Sequence, residues 1–127
     1  MTWGDEADRQ EMQRRIDAAI ARASVCHMSN AKWRKLFAVL RELEVGPVRW
    51  KFVRDNRVFL HPVPPADALL EKMLGDVLPY PYGPYREIEW IEVPAERAAG
   101  VIEALAAIGQ FPIQRLETGL RIVGYTW

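Results

Sequence analysis

One cysteine, Cys26, and two histidines, His27 and His61, are all the thiol and imidazole groups in these 127 residues. A lone cysteine excludes an internal disulfide framework and suits a reducing compartment. Cys26 and His27 are adjacent, and neighbours point in different directions, so they lack the spacing of a zinc pair. His61 is remote from both. The simpler expectation is a buried thiol with two surface or capping imidazoles, and no cofactor. The glycines are scattered singly, and none opens a glycine-rich loop leading into a helix, so no phosphate cradle is written here. No apolar run approaches the roughly 20 residues of a membrane span. Met1 to Glu6 contains no basic stretch followed by an apolar one, the pattern of a secretory leader. These features predict a cytoplasmic protein with no membrane association.

The net charge is zero, but it is unevenly spread. Residues 1–61 carry 12 basic against 8 acidic side chains, and residues 62–127 carry 5 against 9. Such polarity can steer a partner or help two parts of a fold dock. Half the residues are apolar and about a quarter charged, the balance of one soluble globular domain with a core of its own.

In chain order, residues 5–25 read as an amphipathic helix with Met12, Ile16, Ala19, Ile20 and Ala23 on one face. The stripe is thin and alanine-rich, so burying it yields little at about 25 cal/mol per Å². Residues 1–28 are therefore read as an appended helix and 29–127 as the core domain. Ser29 or Asn30 can cap a second helix, in which Trp33, Leu36, Phe37, Leu40 and Leu43 form a strong stripe ended by Gly46-Pro47. A hairpin follows. Val48 to Val53 alternates with Val48, Trp50 and Phe52 inward, Asp55-Asn56 turns, and Val58-Phe59-Leu60 returns. Pro62, Pro64 and Pro65 break the sheet, and Leu69 to Val77 trace a short helix. Leu78 to Tyr85 alternates proline and tyrosine, which favours a stiff extended loop.

The last third reads strand, helix, strand, strand. Ile88 and Trp90 fall on one strand face, Glu87 and Glu89 on the other. Ile91 and Val93 then occupy the acidic face, so that either both faces are covered or a bulge re-aims the strand. Pro94 suits a helix start; Ala98, Val101, Ile102, Leu105 and Ile108 follow at helical spacing; Gly109 supplies a stop. Pro112 to Leu116 and Leu120 to Tyr125 form a closing hairpin, with Glu117-Thr118-Gly119 as its turn. The whole predicts a single α+β domain: four or five strands in a mixed or mostly antiparallel sheet, helices packed mainly on one face.

The segments Arg86-Glu87-Ile88-Glu89-Trp90-Ile91-Glu92-Val93-Pro94, Gly109-Gln110-Phe111-Pro112 and Gly119-Leu120-Arg121-Ile122-Val123-Gly124-Tyr125, with Lys32-Trp33-Arg34, resemble a family of small bacterial domains of unknown function. The resemblance runs from Ser29 to Tyr125. It implies a fold and a bacterial source, and it transfers no functional residues.

Two surfaces stand out. Arg9, Arg14, Arg15, Arg22, Lys32, Arg34, Lys35 and Arg41 concentrate positive charge on the first two helices, although Asp5, Glu6, Asp8, Glu11 and Asp17 dilute it. Tyr80, Tyr82 and Tyr85 offer amphipathic contacts of the kind protein interfaces prefer, unless they lid the core. Glu87, Glu89 and Glu92 lie beside them, and Arg49 and Lys51 could pair with Glu87 and Glu89 across the outer sheet face. The six residues Tyr80, Tyr82, Tyr85, Glu87, Glu89 and Glu92 form the candidate partner-binding site. With no catalytic motif in view, the expectation is a non-catalytic protein-binding module, most concretely an immunity protein that inhibits a bacterial toxin. The alternatives are a nucleic-acid-associated regulator using the basic helices, or a small-molecule enzyme.

Overall fold

A computed structural model describes residues 6–69 and 84–127. Helix α1 (Glu6–Ala21) is followed by the short strand β1 (Val25–Cys26), α2 (Asn30–Glu42) and the hairpin β2 (Val48–Phe52) and β3 (Val58–His61). Single 3-10 turns occupy Ala66–Ala68 and Tyr85–Glu87. Then come β4 (Ile88–Pro94), α3 (Ala95–Ala106), β5 (Ile113–Leu116), β6 (Gly119–Val123) and β7 (Tyr125–Thr126). Among the described residues the strands build a five-stranded sheet in the order β3-β2-β4-β6-β5, with β1 and β7 forming a separate pair. Every ladder is antiparallel. Hence β4 and β5, joined by α3, run parallel without touching, because β6 lies between them. The α+β architecture expected from the sequence is the one observed.

Local signals explain most boundaries. The Ser29 side chain accepts from the Lys32 N–H at 3.1 Å and caps α2, satisfying a donor the helix cannot use internally. α1 ends at Ala21, short of the expected residue 25, because the Ser24 N–H and hydroxyl both donate to the Thr126 carbonyl. That contact turns the chain into β1. Arg97 of α3 donates to the Leu43 carbonyl at the end of α2, a cation placed where unsatisfied carbonyls gather.

The core fills one side of the sheet. Trp33, Leu36, Phe37 and Leu40 of α2 and Val101 and Leu105 of α3 pack onto Val48, Trp50, Phe52, Ile88, Ile91, Val93, Leu120 and Ile122. Trp33, Phe37, Trp50 and Phe52 form a run of stacked rings with centroids 6.0, 5.1 and 6.1 Å apart. Each such pair adds about 0.5–1.5 kcal/mol beyond the burial of its area. Trp50 also donates its indole N–H to the His61 carbonyl at 3.3 Å, so the polar handle of this core ring is used.

Two glycines hold the sheet together by close approach. Gly119 has φ +153°, and a β-carbon there would be driven into the Val93 carbonyl oxygen. At Gly124 a β-carbon would stand 2.7 Å from the Ile88 carbonyl oxygen and 2.9 Å from that of Glu89. Gly100, exposed in the middle of α3, has open space around it. Gly119→Ala should therefore destabilise the fold by about 2–3 kcal/mol. Gly100→Ala should stabilise it by about 0.5–1 kcal/mol. Urea denaturation of the two variants against the parent chain measures both.

Candidate functional site

The pairing between β2 and β4 shifts register: Phe52 faces Ile88, but Lys51 faces Trp90. Glu89 is thus an extra residue on β4, a β-bulge. The insertion puts Ile88 on the core side together with Ile91 and Val93. It also turns Glu89, Trp90 and Glu92 to the side away from α2 and α3. The sequence pattern had grouped Ile88 with Trp90; the bulge separates them.

This outer face carries a connected set of charged and aromatic side chains. Lys51 Nζ lies 3.0 Å from Glu89 Oε1 and also donates to the Phe52 carbonyl at 2.8 Å. Arg121 of β6, directly across from Glu92, holds Glu92 Oε2 with two donors, Nε at 2.7 Å and an Nη. The same guanidinium lies 4.3 Å from the Trp90 ring centroid, a cation–π contact. Val123 flanks Trp90 and Gln114 of β5 flanks Arg121. Beyond them an open depression of about 450 Å³ is bounded by His27, Trp90, Gln114, Arg121, Tyr125 and Trp127. Trp127 is half exposed and its ring lies 5.6 Å from that of Tyr125. The Tyr125 hydroxyl donates to the Arg86 carbonyl at 2.7 Å. Burial pushes its phenol up to about 12, so the group stays a donor. On the edge strand β3 the same face shows Val58 and Leu60, 50% and 70% exposed.

The predicted site residues separate. Tyr80 and Tyr82 lie outside the described residues, as do Leu70 to Val77 of the expected short helix. Tyr85 and Glu87 are wholly buried, so neither offers the surface expected of it. The reason is local. Tyr85–Glu87 is a 3-10 turn rather than strand, so strand alternation begins only at Ile88 and Glu87 is rotated inward. Glu89 and Glu92 do reach the outer face. The expected pairing of Lys51 with Glu89 is present, while Glu87 is paired with Arg54 and Arg49 stands across from Glu92. Trp90 and Arg121 were missed. The signal for Trp90 was the broken alternation at Glu89, and Arg121 became visible only with the register of β4 on β6. Cys26, expected to be buried, is exposed, its thiol donating to the Met28 carbonyl at 3.4 Å. Its neighbour His27 contacts the Thr126 hydroxyl. His61 meets Trp50 edge-on at 6.2 Å. Among the described residues no three His, Cys, Asp or Glu gather as a metal site. None of their helices is long and apolar enough to cross a membrane. On α1, Arg14 and Arg15 are tied to Glu11, which spends part of the positive charge locally.

No protein-family model, no curated protein and no solved structure matches the chain.

The buried Glu87 titrates abnormally. Burial pushes its carboxyl up to about 7 from an ordinary 4.5, outweighing the opposing pull of Arg54. Between those values the folded chain holds a proton that the unfolded chain has released. Its contribution to stability is thus full below pH 4.5 and is lost as pH rises through 7. Replacement of this carboxyl by an amide removes the titration. Glu87→Gln should therefore gain stability relative to the parent chain as pH rises from 4.5 to 7.5. Paired urea titrations across that range read the difference directly, and parallel curves would contradict the assignment.

Proposed function

We propose that this chain is a non-catalytic protein-binding module that engages its partner through the outer face of β4 and β6. The most concrete form is an immunity protein that covers the active site of a bacterial toxin in the cytoplasm. The observation that supports this reading is the arrangement of Trp90, Arg121 and Glu92: an aromatic plane, a guanidinium fixed against it, and a carboxylate holding that guanidinium. Trp and Arg are enriched among residues that dominate binding energy. Here both are fixed before any partner arrives, which lowers the entropic cost of association. Glu89 and Glu92 add acidic groups suited to a basic cleft, where complementary charge speeds encounter and fixes register. Their ion pairs with Lys51 and Arg121 are consistent with recognition by surface rather than with acid–base chemistry.

The test takes the product of any toxin gene found beside this one. The two proteins should copurify, and calorimetry gives the dissociation constant. Trp90→Ala should weaken binding by at least about 30-fold, the scale of a hot-spot residue losing 2 kcal/mol or more. Glu92→Lys should slow association and flatten its decline with salt. Arg41→Glu, on the helix side, should leave the complex intact. Unchanged affinity of Trp90→Ala would remove this face from the proposal. Binding of nucleic acid instead, weakening steeply with salt, would favour the basic helices.

A further inference from the structure

The five-stranded sheet has two edges, β3 and β5. β3 runs directly into Pro62, Pro64 and Pro65, residues that blunt an edge by withholding donors. β5 is different. The Val123 N–H donates to the Pro112 carbonyl at 3.0 Å, and hydrogen-bonded pairs alternate along an antiparallel ladder. With Ile113 across from Ile122 and Gln114 across from Arg121, residues 112, 114 and 116 address β6. Ile113 and Arg115 therefore point their N–H and C=O groups outward, two donors and two acceptors with no strand beside them among the described residues. Pro112, just before this strand, withholds nothing from that edge, because its missing N–H is on the β6 side. Beside the edge, Ile102, Leu105, Ala106, Phe111 and Ile113 line an apolar groove of about 380 Å³, and Ile108 nearby is half exposed.

We propose that two copies of this chain join edge to edge through β5, antiparallel about a two-fold axis at Gln114, into a continuous ten-stranded sheet. The edge is self-complementary in this register, with both outward residues paired inside β5. With the axis at Gln114, Ile113 of each copy faces Arg115 of the other, and all four outward groups of each strand find partners. A direct two-fold dimer with helices on one side requires residues on the same face to meet, so the neighbouring registers centre on Ile113, which carries Arg115 past the end of the other copy's β5, or on Arg115. The latter would oppose two guanidiniums, which is destabilising. Arg115 thus acts as the selector of register. Its aliphatic stem lies over the apolar groove of the other copy with its charge in solvent, as long basic side chains commonly do. The two Gln114 amides meet on the outer face as a non-hydrogen-bonded pair, where Cα atoms approach to about 4.5 Å. This inference rests on the β5 edge and is independent of what the outer face binds.

Light scattering on the eluting protein should give twice the 14.6 kDa chain mass. Gln114→Lys, which places two ammonium groups at the axis, should return the mass to one chain while circular dichroism stays unchanged. Gln114→Cys in a Cys26→Ser background should form an intermolecular disulfide on mild oxidation, since that Cα spacing lies within the range a disulfide spans. A parent chain that stays monomeric at high micromolar concentration would overturn the proposal. So would a dimer that Gln114→Lys leaves intact and Gln114→Cys fails to cross-link.

Discussion

The fold turns on one extra residue in its central strand. β4 is hydrogen-bonded to β2 on one side and β6 on the other, so a bulge at Glu89 changes what both neighbours meet. It brings Ile88 into phase with Ile91 and Val93, three apolar groups on one side where strict alternation would give two. The inserted residue is anchored from the far side as well: the Gly124 N–H donates to the Glu89 carbonyl at 2.7 Å. Only glycine approaches that closely, since a β-carbon would collide with the Ile88 and Glu89 carbonyls. At the same point β6 ends and the chain bends into β7, which pairs with β1. A single insertion thus fixes the hydrophobic phase of the central strand, the end of its neighbour and the attachment of the segment after α1.

Around that strand the burial is not uniformly apolar. Glu87, one residue before β4, is wholly buried against Arg54 from the loop after β2. A buried ion pair rarely adds net stability, because desolvation offsets most of the attraction, while removing one partner is costly. What the pair does specify is position. The Val53 N–H donates to the Glu87 carbonyl at 2.8 Å, so backbone and side chain of Glu87 both grip the loop that follows β2. Those contacts hold the β2 end opposite the bulge and keep the shifted register from sliding back.

Much of this was legible in the residues. The α2 stripe, the inward set Val48, Trp50 and Phe52, the closing hairpin with Gly119 at its turn, and the stop at Gly109 follow from periodicity and turn chemistry, which are local. Where the reading failed, the deciding contact was remote. Glu87 looked like the partner of Glu89 because a run of alternating residues does not announce that its first members belong to a 3-10 turn. Ser24 and Thr126 lie 102 residues apart, so nothing near residue 21 signals that α1 must end there. The ambiguity at Ile91 and Val93 was visible, yet choosing a bulge over a doubly covered strand needed Gly124 and Lys51 in place. Arg121 carried no signal at all until the β4–β6 register set it across from Glu92.

The same register accounts for the character of the outer face. Ion pairs on an open surface contribute little when their side chains must first be ordered. On a sheet the ordering is partly done by the backbone, because cross-strand neighbours are held about 5 Å apart. Arg121 and Glu92 are such neighbours, Lys51 and Glu89 adjoin the bulge, and Arg121 reaches Trp90 on the diagonal. Trp90 consequently presents a fixed plane, and Arg121 is held by Glu92 through two donors while it stacks. A charged face of this kind can stay exposed without forming a large apolar patch, yet keeps a rigid aromatic ready for contact. The bulge that completes the core is therefore also what turns Trp90 outward, and neither outcome is available without the other.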